Sequence, residues 1–274
     1  MTLELFKKNI AVAYIARGAD KDSYVSFNRF IESYKNKNAG LAHTLYIIYK
    51  GFLNIEHLEI AKEQFKYVPH KALFFDDSSF DIGAYIEFAK TVECDFICGL
   101  NTATEILSND WLWKLSQNLS LPNVGLVGAT ASYESLNKLD RIFSAFPNPH
   151  IRTTGFMINR KFFLSIAGSC KIINKLDAYK FESGPQGLTS TILLLGMRVL
   201  LVGANGRGYS MKFWPISKSF RQGLQENLLI ADNVTRLYMQ HPWIEKYEVT
   251  NKTWGDYIGS CHFSEQEMLK AKQL

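Results

Sequence analysis

A chain of 274 residues, 47% apolar and 21% charged, is long enough for one large domain with its own core and too apolar for a disordered segment. A formal charge of +5 without any Lys/Arg block argues against a nucleic-acid binder; it leaves a phosphate-bearing ligand, an anionic membrane surface or an ordinary solvated exterior. No apolar run reaches the roughly 18–20 residues of a membrane-spanning helix. Four cysteines, Cys94, Cys98, Cys170 and Cys261, include no Cys-x-x-Cys pair and no nearby His cluster, which points to a reduced, cytosolic protein rather than a zinc site.

The opening MTLELFKKNIAVAYIARG is too short in its apolar part and too strand-like for a signal peptide, and residues 10–15 read as the first strand. Tyr24, Phe27, Phe30, Ile31 and Tyr34 recur at helical spacing behind Asp22, a candidate N-cap. Residues 44–49 (TLYIIY) form a second strand. Asn54 is placed to cap a helix through Ile55, Leu58, Ala61 and Phe65. Residues 72–75 (ALFF) form a third strand ending at Asp76-Asp77, and Asp81 opens the helix DIGAYIEFAKTVE. A fourth strand over 95–100 (DFICGL), an amphipathic helix over 110–119 and a fifth strand over 124–129 follow. This alternation predicts an α/β fold with a buried, mostly parallel sheet and right-handed crossovers. Ligands of such sheets sit beyond the carboxyl ends of the strands, so the loops after Ile15, Tyr49, Phe75 and Leu100 matter most.

The second half is less regular. A strand over 154–158, helices over 161–167 and 188–195, the latter stopped by Gly196, a strand over 197–202 and a helix over 222–238 are expected. Trp243, Tyr247, Trp254 and Tyr257 imply that the tail after Pro242 packs on the body. No linker or repeat divides the chain, which reads as one domain over 1–274.

Four stretches together resemble the GT-A glycosyltransferases, in particular family 2 and rhamnan-synthesis-like relatives. They are FDIGAYIEFAK, DFICGLNTATEILSNDWLWKL, NVGLVGATAS and FESGPQGLTSTILLLGMRVLLV, in that order over roughly residues 9 to 205. The resemblance implies a Rossmann-related GT-A domain with a nucleotide-sugar-binding half over 9–130, an acceptor-side half over 131–240 and a tail over 241–274. It implies transfer of a hexosyl or deoxyhexosyl group from a nucleotide-sugar donor to a glycan or lipid-linked acceptor. The setting is cell-surface polysaccharide synthesis, such as capsule or lipopolysaccharide, in the cytoplasm or on the inner face of the membrane, with inversion at the sugar carbon.

One departure stands out. The family's Asp-x-Asp-like motif holds a divalent metal on the donor diphosphate, and the matching positions read Asn101-Thr102-Ala103-Thr104-Glu105. Ala103 replaces the expected acid, and Glu105 alone is a poor ligand for Mg²⁺ or Mn²⁺. Either the enzyme works without metal, another acid holds it, or catalysis is lost. A metal-free enzyme must place cations on the diphosphate. Arg207, Lys212, Lys218 and Arg221, in a segment without acids after the last strand, are candidates, as are His150 and Arg152; an ordinary basic loop and a structural turn are the alternatives.

The family's general base is an acid at the start of a helix, where this chain reads Phe181-Glu182-Ser183-Gly184; Glu182 is the candidate and Asp177 the alternative. For the donor nucleoside, Ala16 and Arg17 follow the first strand, and Asp76, Asp77 and Asp81 crowd the end of the third, where Asp77 and Asp81 are also placed to cap a helix. Asp232, in a late helical stretch, either faces the active site or pairs locally with Arg236, the local pair being the first reading. Trp214, Trp243 and Trp254 either stack on sugars or pack in the core. A GT-A-fold binding module without turnover is the competing reading.

Overall fold

A computed structural model describes residues 8–260. Cys261 and the tail over 261–274 lie outside the described residues, as does the segment 1–7.

The first half alternates as expected. Strand β1 (Ile10–Arg17), helix α1 (Ser23–Asn36), β2 (Thr44–Lys50), α2 (Ile55–Phe65), β3 (Lys71–Phe74), α3 (Phe80–Thr91) and β4 (Phe96–Leu100) follow one another. Asn54 caps α2 by accepting from the His57 N–H at 2.9 Å. Asp22 occupies the N-cap of α1 but in a left-handed conformation without a side-chain cap bond. Next come the short β5 (Glu105–Ile106), α4 (Trp111–Leu119), β6 (Val124–Gly128), β7 (Ala131–Ser132), β8 (His150–Ile151) and β9 (Gly155–Asn159). Helices α5 (Arg160–Ala167), α6 (Lys175–Ser183) and α7 (Leu188–Leu194) precede β10 (Arg198–Val202) and β11 (Gly208–Tyr209). A 3₁₀ turn (Met211–Ile216), β12 (Ile230–Ala231), α8 (Asn233–Gln240) and α9 (Trp243–Trp254) complete the core elements.

The main sheet runs β11-β10-β6-β9-β4-β1-β2-β3. Six strands are parallel, while β9 enters antiparallel between β4 and β6, and β11 pairs antiparallel at the edge. Alternation along β1 sends Ala11, Ala13 and Ile15 to one core and Val12, Tyr14 and Ala16 to the other. Helices α3, α5, α6 and α7 cover the first face, and α1, α2 and α4 the second. Trp254 of α9 is fully buried and donates to the Phe220 carbonyl at 2.9 Å, whereas Trp243 is 77% exposed. No helix among the described residues is long and apolar enough to cross a membrane.

Two expectations need correction. The helix read over 222–238 is an irregular loop, then β12, then α8. The backbone turns left-handed at Gly223 and Gln225, inside the expected helix, and the Gln222 and Gln225 side chains fold back to accept the Lys218 and Arg221 N–H groups. Asp232, expected inside that helix, instead caps α8 by accepting from the Thr235 N–H at 2.8 Å. Glu182, expected from the resemblance at the start of a helix, lies at the end of α6, with a Gly-Pro-Gln-Gly turn before α7.

Gly99 in β4 admits the Phe156 ring: a Cβ there would lie 2.5 Å from Phe156 Cε1 and 3.1 Å from Tyr85 Cε1. Gly99→Ala is expected to lower stability by about 1–3 kcal/mol through overpacking. Thermal unfolding reads this directly; an unchanged midpoint would mean that the rings yield at no cost.

Candidate active site

At the carboxyl ends of β1 to β3, Arg17 holds Asp77 with two parallel hydrogen bonds, Nε to Oδ1 at 2.8 Å and Nη2 to Oδ2 at 2.7 Å, and reaches Asp20 at 2.6 Å. Lys50, its side chain wholly buried, donates to the Phe80 carbonyl at 2.8 Å and lies 3.5 Å from Asp77. Gly51, at φ +64°, leaves room for that carboxylate, which would lie 2.9 Å from any Cβ there. Burial would raise the Asp77 carboxyl, but Arg17 and Lys50 outweigh it and hold it below its ordinary value. Asp81, in the first turn of α3, has no hydrogen-bond partner among the described residues. Burial, with Asp20 adding repulsion, pushes its carboxyl up to about 6 against the pull of Lys50 and Arg17.

The segment after β4 carries only neutral side chains from Asn101 to Thr104. Tyr14 Oη donates to the Thr102 carbonyl at 2.7 Å, the Arg17 N–H to Thr102 Oγ1 at 3.2 Å, and Thr104 Oγ1 to Asn101 Oδ1 at 3.1 Å. Arg236 donates to the Ala103 carbonyl at 2.9 Å. Glu105 is shared by Arg236 at 3.3 Å and Arg29 at 3.8 Å. The metal implied by the family resemblance does not fit this donor set. Amide and hydroxyl oxygens are weak ligands for Mg²⁺ or Mn²⁺, and the one carboxylate is engaged by two guanidinium groups.

A third group forms where β8 and β9 meet α6 and the loop before β12. A cleft of about 190 Å³ is lined by Glu134, His150, Arg152, Glu182, Phe220 and Arg221, among others. Glu182 Oε2 accepts the Thr153 N–H at 2.7 Å and the Thr153 hydroxyl at 2.5 Å. Its Oε1 makes no hydrogen bond among the described residues. The carboxylate thus sits at a helix C-terminus, disfavoured by the dipole, and is fixed there by two donors. Arg152 pairs with Asp232 at 2.9 Å, and Arg221 pairs with Glu134 at 3.1 Å and donates to Thr253 Oγ1 at 3.0 Å. The Phe220 ring carries both guanidinium groups, at 4.4 and 5.0 Å. His150 Nδ1 donates to the Asn148 carbonyl at 2.8 Å. Burial would raise Asp232, but Arg152 and the Thr235 N–H hold it below its ordinary value. Burial lowers Arg221 against the pull of Glu134, and Arg152 adds to the lowering.

No protein-family model matches the chain, and no curated protein matches it in sequence. Among solved structures, the chain is similar to a mannosyltransferase from Pyrobaculum calidifontis in complex with GDP-Man and Mn²⁺, at 9% identity and TM-score 0.49, over 72% of this chain and 55% of that one. It is similar to 4-diphosphocytidyl-2C-methyl-D-erythritol synthase from Anaerococcus prevotii, at 12% identity and TM-score 0.42, over 65% and 83%. A third is glucosyl-3-phosphoglycerate synthase from Mycobacterium tuberculosis, at 11% identity and TM-score 0.40, over 59% and 61%. Likeness at this level assigns neither a reaction nor a residue to this chain.

The sequence candidates fall into separate places. Glu182, His150, Arg152 and Arg221 share the cleft, and Arg17 and Asp77 form the pair beside β1. Ala16 is fully buried and offers no side-chain surface. Asp76 is exposed and turned onto Ser78. Asp177 is spent in the capping box of α6, accepting the Ile173 and Asn174 N–H groups, away from Glu182. Arg207 and Lys212 lie over Tyr209 and Phe213, and Lys218 is exposed; none lines the cleft. Asp232 pairs with Arg152, while Arg236 takes Glu105, correcting the expected Asp232–Arg236 pair. Lys50, Thr153, Glu134 and Phe220 were not anticipated. Lys50 alone left a signal, a lysine closing a buried strand.

Because the folded-state value of Asp81 lies above its ordinary 3.8, the folded chain loses a favourable contribution as pH rises through about 6. Asp81→Asn is expected to be more stable than the parent at about pH 8, by about 1 kcal/mol after solvent screening, and to match it near pH 4. Denaturant unfolding at both pH values checks this; an equal difference at both would contradict it.

Proposed function

We propose that the chain transfers a sugar from a nucleotide-sugar donor to a hydroxyl of a glycan or lipid-linked acceptor, with Glu182 as general base. The observation that carries this reading is the anchored Glu182, one oxygen held by Thr153 and the other without a hydrogen bond among the described residues, in the same cleft as Arg152 and Arg221. A base must be fixed yet keep one oxygen for the incoming proton. The acceptor oxygen attacks the anomeric carbon as the carbon–oxygen bond to the diphosphate breaks. The acceptor proton passes to Glu182, and single displacement inverts the configuration. Arg17, Asp77 and Asp81 face the donor nucleoside, where the carboxylates accept from ribose hydroxyls or base N–H groups. Trp243, Ile244 and Tyr247, exposed on α9 beside Lys246, favour a lipid-linked acceptor met at a membrane surface and hence cell-surface polysaccharide synthesis.

A binding module without turnover is the second reading, favoured by the neutral segment from Asn101 to Thr104. Nucleoside diphosphate release from a panel of nucleotide-sugars with glycan and lipid-linked acceptors separates the two: turnover establishes transfer, and tight binding without release establishes the module. Glu182→Gln is expected to cut turnover at least about 100-fold while donor affinity, measured by calorimetry, stays within about twofold, since the amide keeps the Thr153 contact. Near-normal turnover would remove Glu182 as the base.

A further inference from the structure

We infer that Arg152, held by Asp232, takes the place of a divalent cation on the donor diphosphate; this rests on the sugar-transfer reading above. Two strand pairings bring the parts together. Leu100 of β4 lies opposite Gly155 of β9, which sets residues 152–154 beside Asn101. Glu105 of β5 lies opposite Ala231 of β12, which sets Asp232 beside the same segment. The acid missing at Ala103 is thus supplied from β12, but it arrives already neutralised by a guanidinium.

The pair is built to stay. Asp232 is 2% exposed and fixed by capping α8, so it cannot swing to another partner. Arg152 lies over the Phe220 ring and meets Asp232 through Nη1. Its Nε and Nη2 make no hydrogen bond among the described residues, which leaves two in-plane donors of the fork that matches phosphate oxygens. Charge supports the substitution. Arg29, Arg152, Arg221, Arg236 and Lys252 are tied to Glu105, Glu134 and Asp232. With Glu182 of the same cleft counted, five cations face four carboxylates, so the edge stays net positive without a metal. Asp232 is a positioning residue in this account, and Arg152 is the group that touches the ligand.

The test is calorimetric titration of UDP, GDP, uridine and guanosine into the intact chain, in EDTA and in MnCl₂. At least one diphosphate is expected to bind in EDTA, with an affinity that Mn²⁺ changes by less than about twofold. Arg152→Lys keeps the charge and the partner of Asp232 but loses the fork; it is expected to weaken diphosphate binding about tenfold and leave nucleoside binding unchanged. Arg152→Met combined with Asp232→Asn removes both charges without stranding either and is expected to weaken it at least about 30-fold, with thermal unfolding as the check on folding. Diphosphate binding that appears only with Mn²⁺ overturns the substitution and leaves sugar transfer standing. Absence of nucleotide binding under both conditions overturns the substitution together with the reading it rests on.

Discussion

One antiparallel strand determines where everything else can stand. β9 is hydrogen-bonded on both sides, to β4 and to β6, so its backbone donors and acceptors are committed along its length. Running against its neighbours, it begins where they end. The residues leading into it, from His150 to Thr154, are therefore delivered to the carboxyl edge of the sheet, the edge at which parallel strands leave their loops. Thr153 then meets Glu182 at the end of α6, and Arg152 meets Asp232 at the start of α8. Helices distant in the chain converge because a single strand supplies the groups between them.

The charges at that edge are arranged in pairs that are expensive to bury and hard to rearrange. An ion pair out of water recovers its desolvation cost only with good geometry and further hydrogen bonds. Arg17–Asp77 has the bidentate form, Asp232 has the helix cap besides its guanidinium, and Glu134 has both Arg221 and Lys252. Such groups reorganise little when a charged ligand arrives, which is the condition for electrostatic stabilisation of a leaving group. Asp81 is the exception: partly buried and with no side-chain hydrogen bond among the described residues, it is raised in pKa and poised for a ligand donor.

The first half of the fold was legible because its signals are local. Period-2 burial in β1, helical spacing in α1 and the Asn54 cap of α2 each depend on neighbours in sequence. The antiparallel insertion of β9 left no local trace, since GFMIN reads the same in either direction. The helix anticipated over 222–238 failed because Gln222 and Gln225 serve as backbone partners, a tertiary role that periodicity does not encode. Glu182, Arg152 and Arg221 were legible as candidates by residue type. Glu134 and Thr153 were not, since a glutamate in a turn and a threonine before a strand gain meaning only from what they touch. Arg207, Lys212 and Lys218 show the converse: cations adjacent in sequence to Arg221 are dispersed by the 3₁₀ turn and the left-handed residues around it.

The most direct measurement is a crystal structure with a bound nucleotide-sugar and Mn²⁺ in the soak, read with anomalous scattering at the manganese edge. Diphosphate oxygens are expected about 2.7–2.9 Å from the Arg152 guanidinium, with the nucleoside beside Arg17 and Asp77, Glu182 Oε1 facing the sugar, and no manganese peak on the diphosphate. A manganese ion bridging the diphosphate to Asp232 or Glu105, or a nucleotide bound away from this edge, would contradict it.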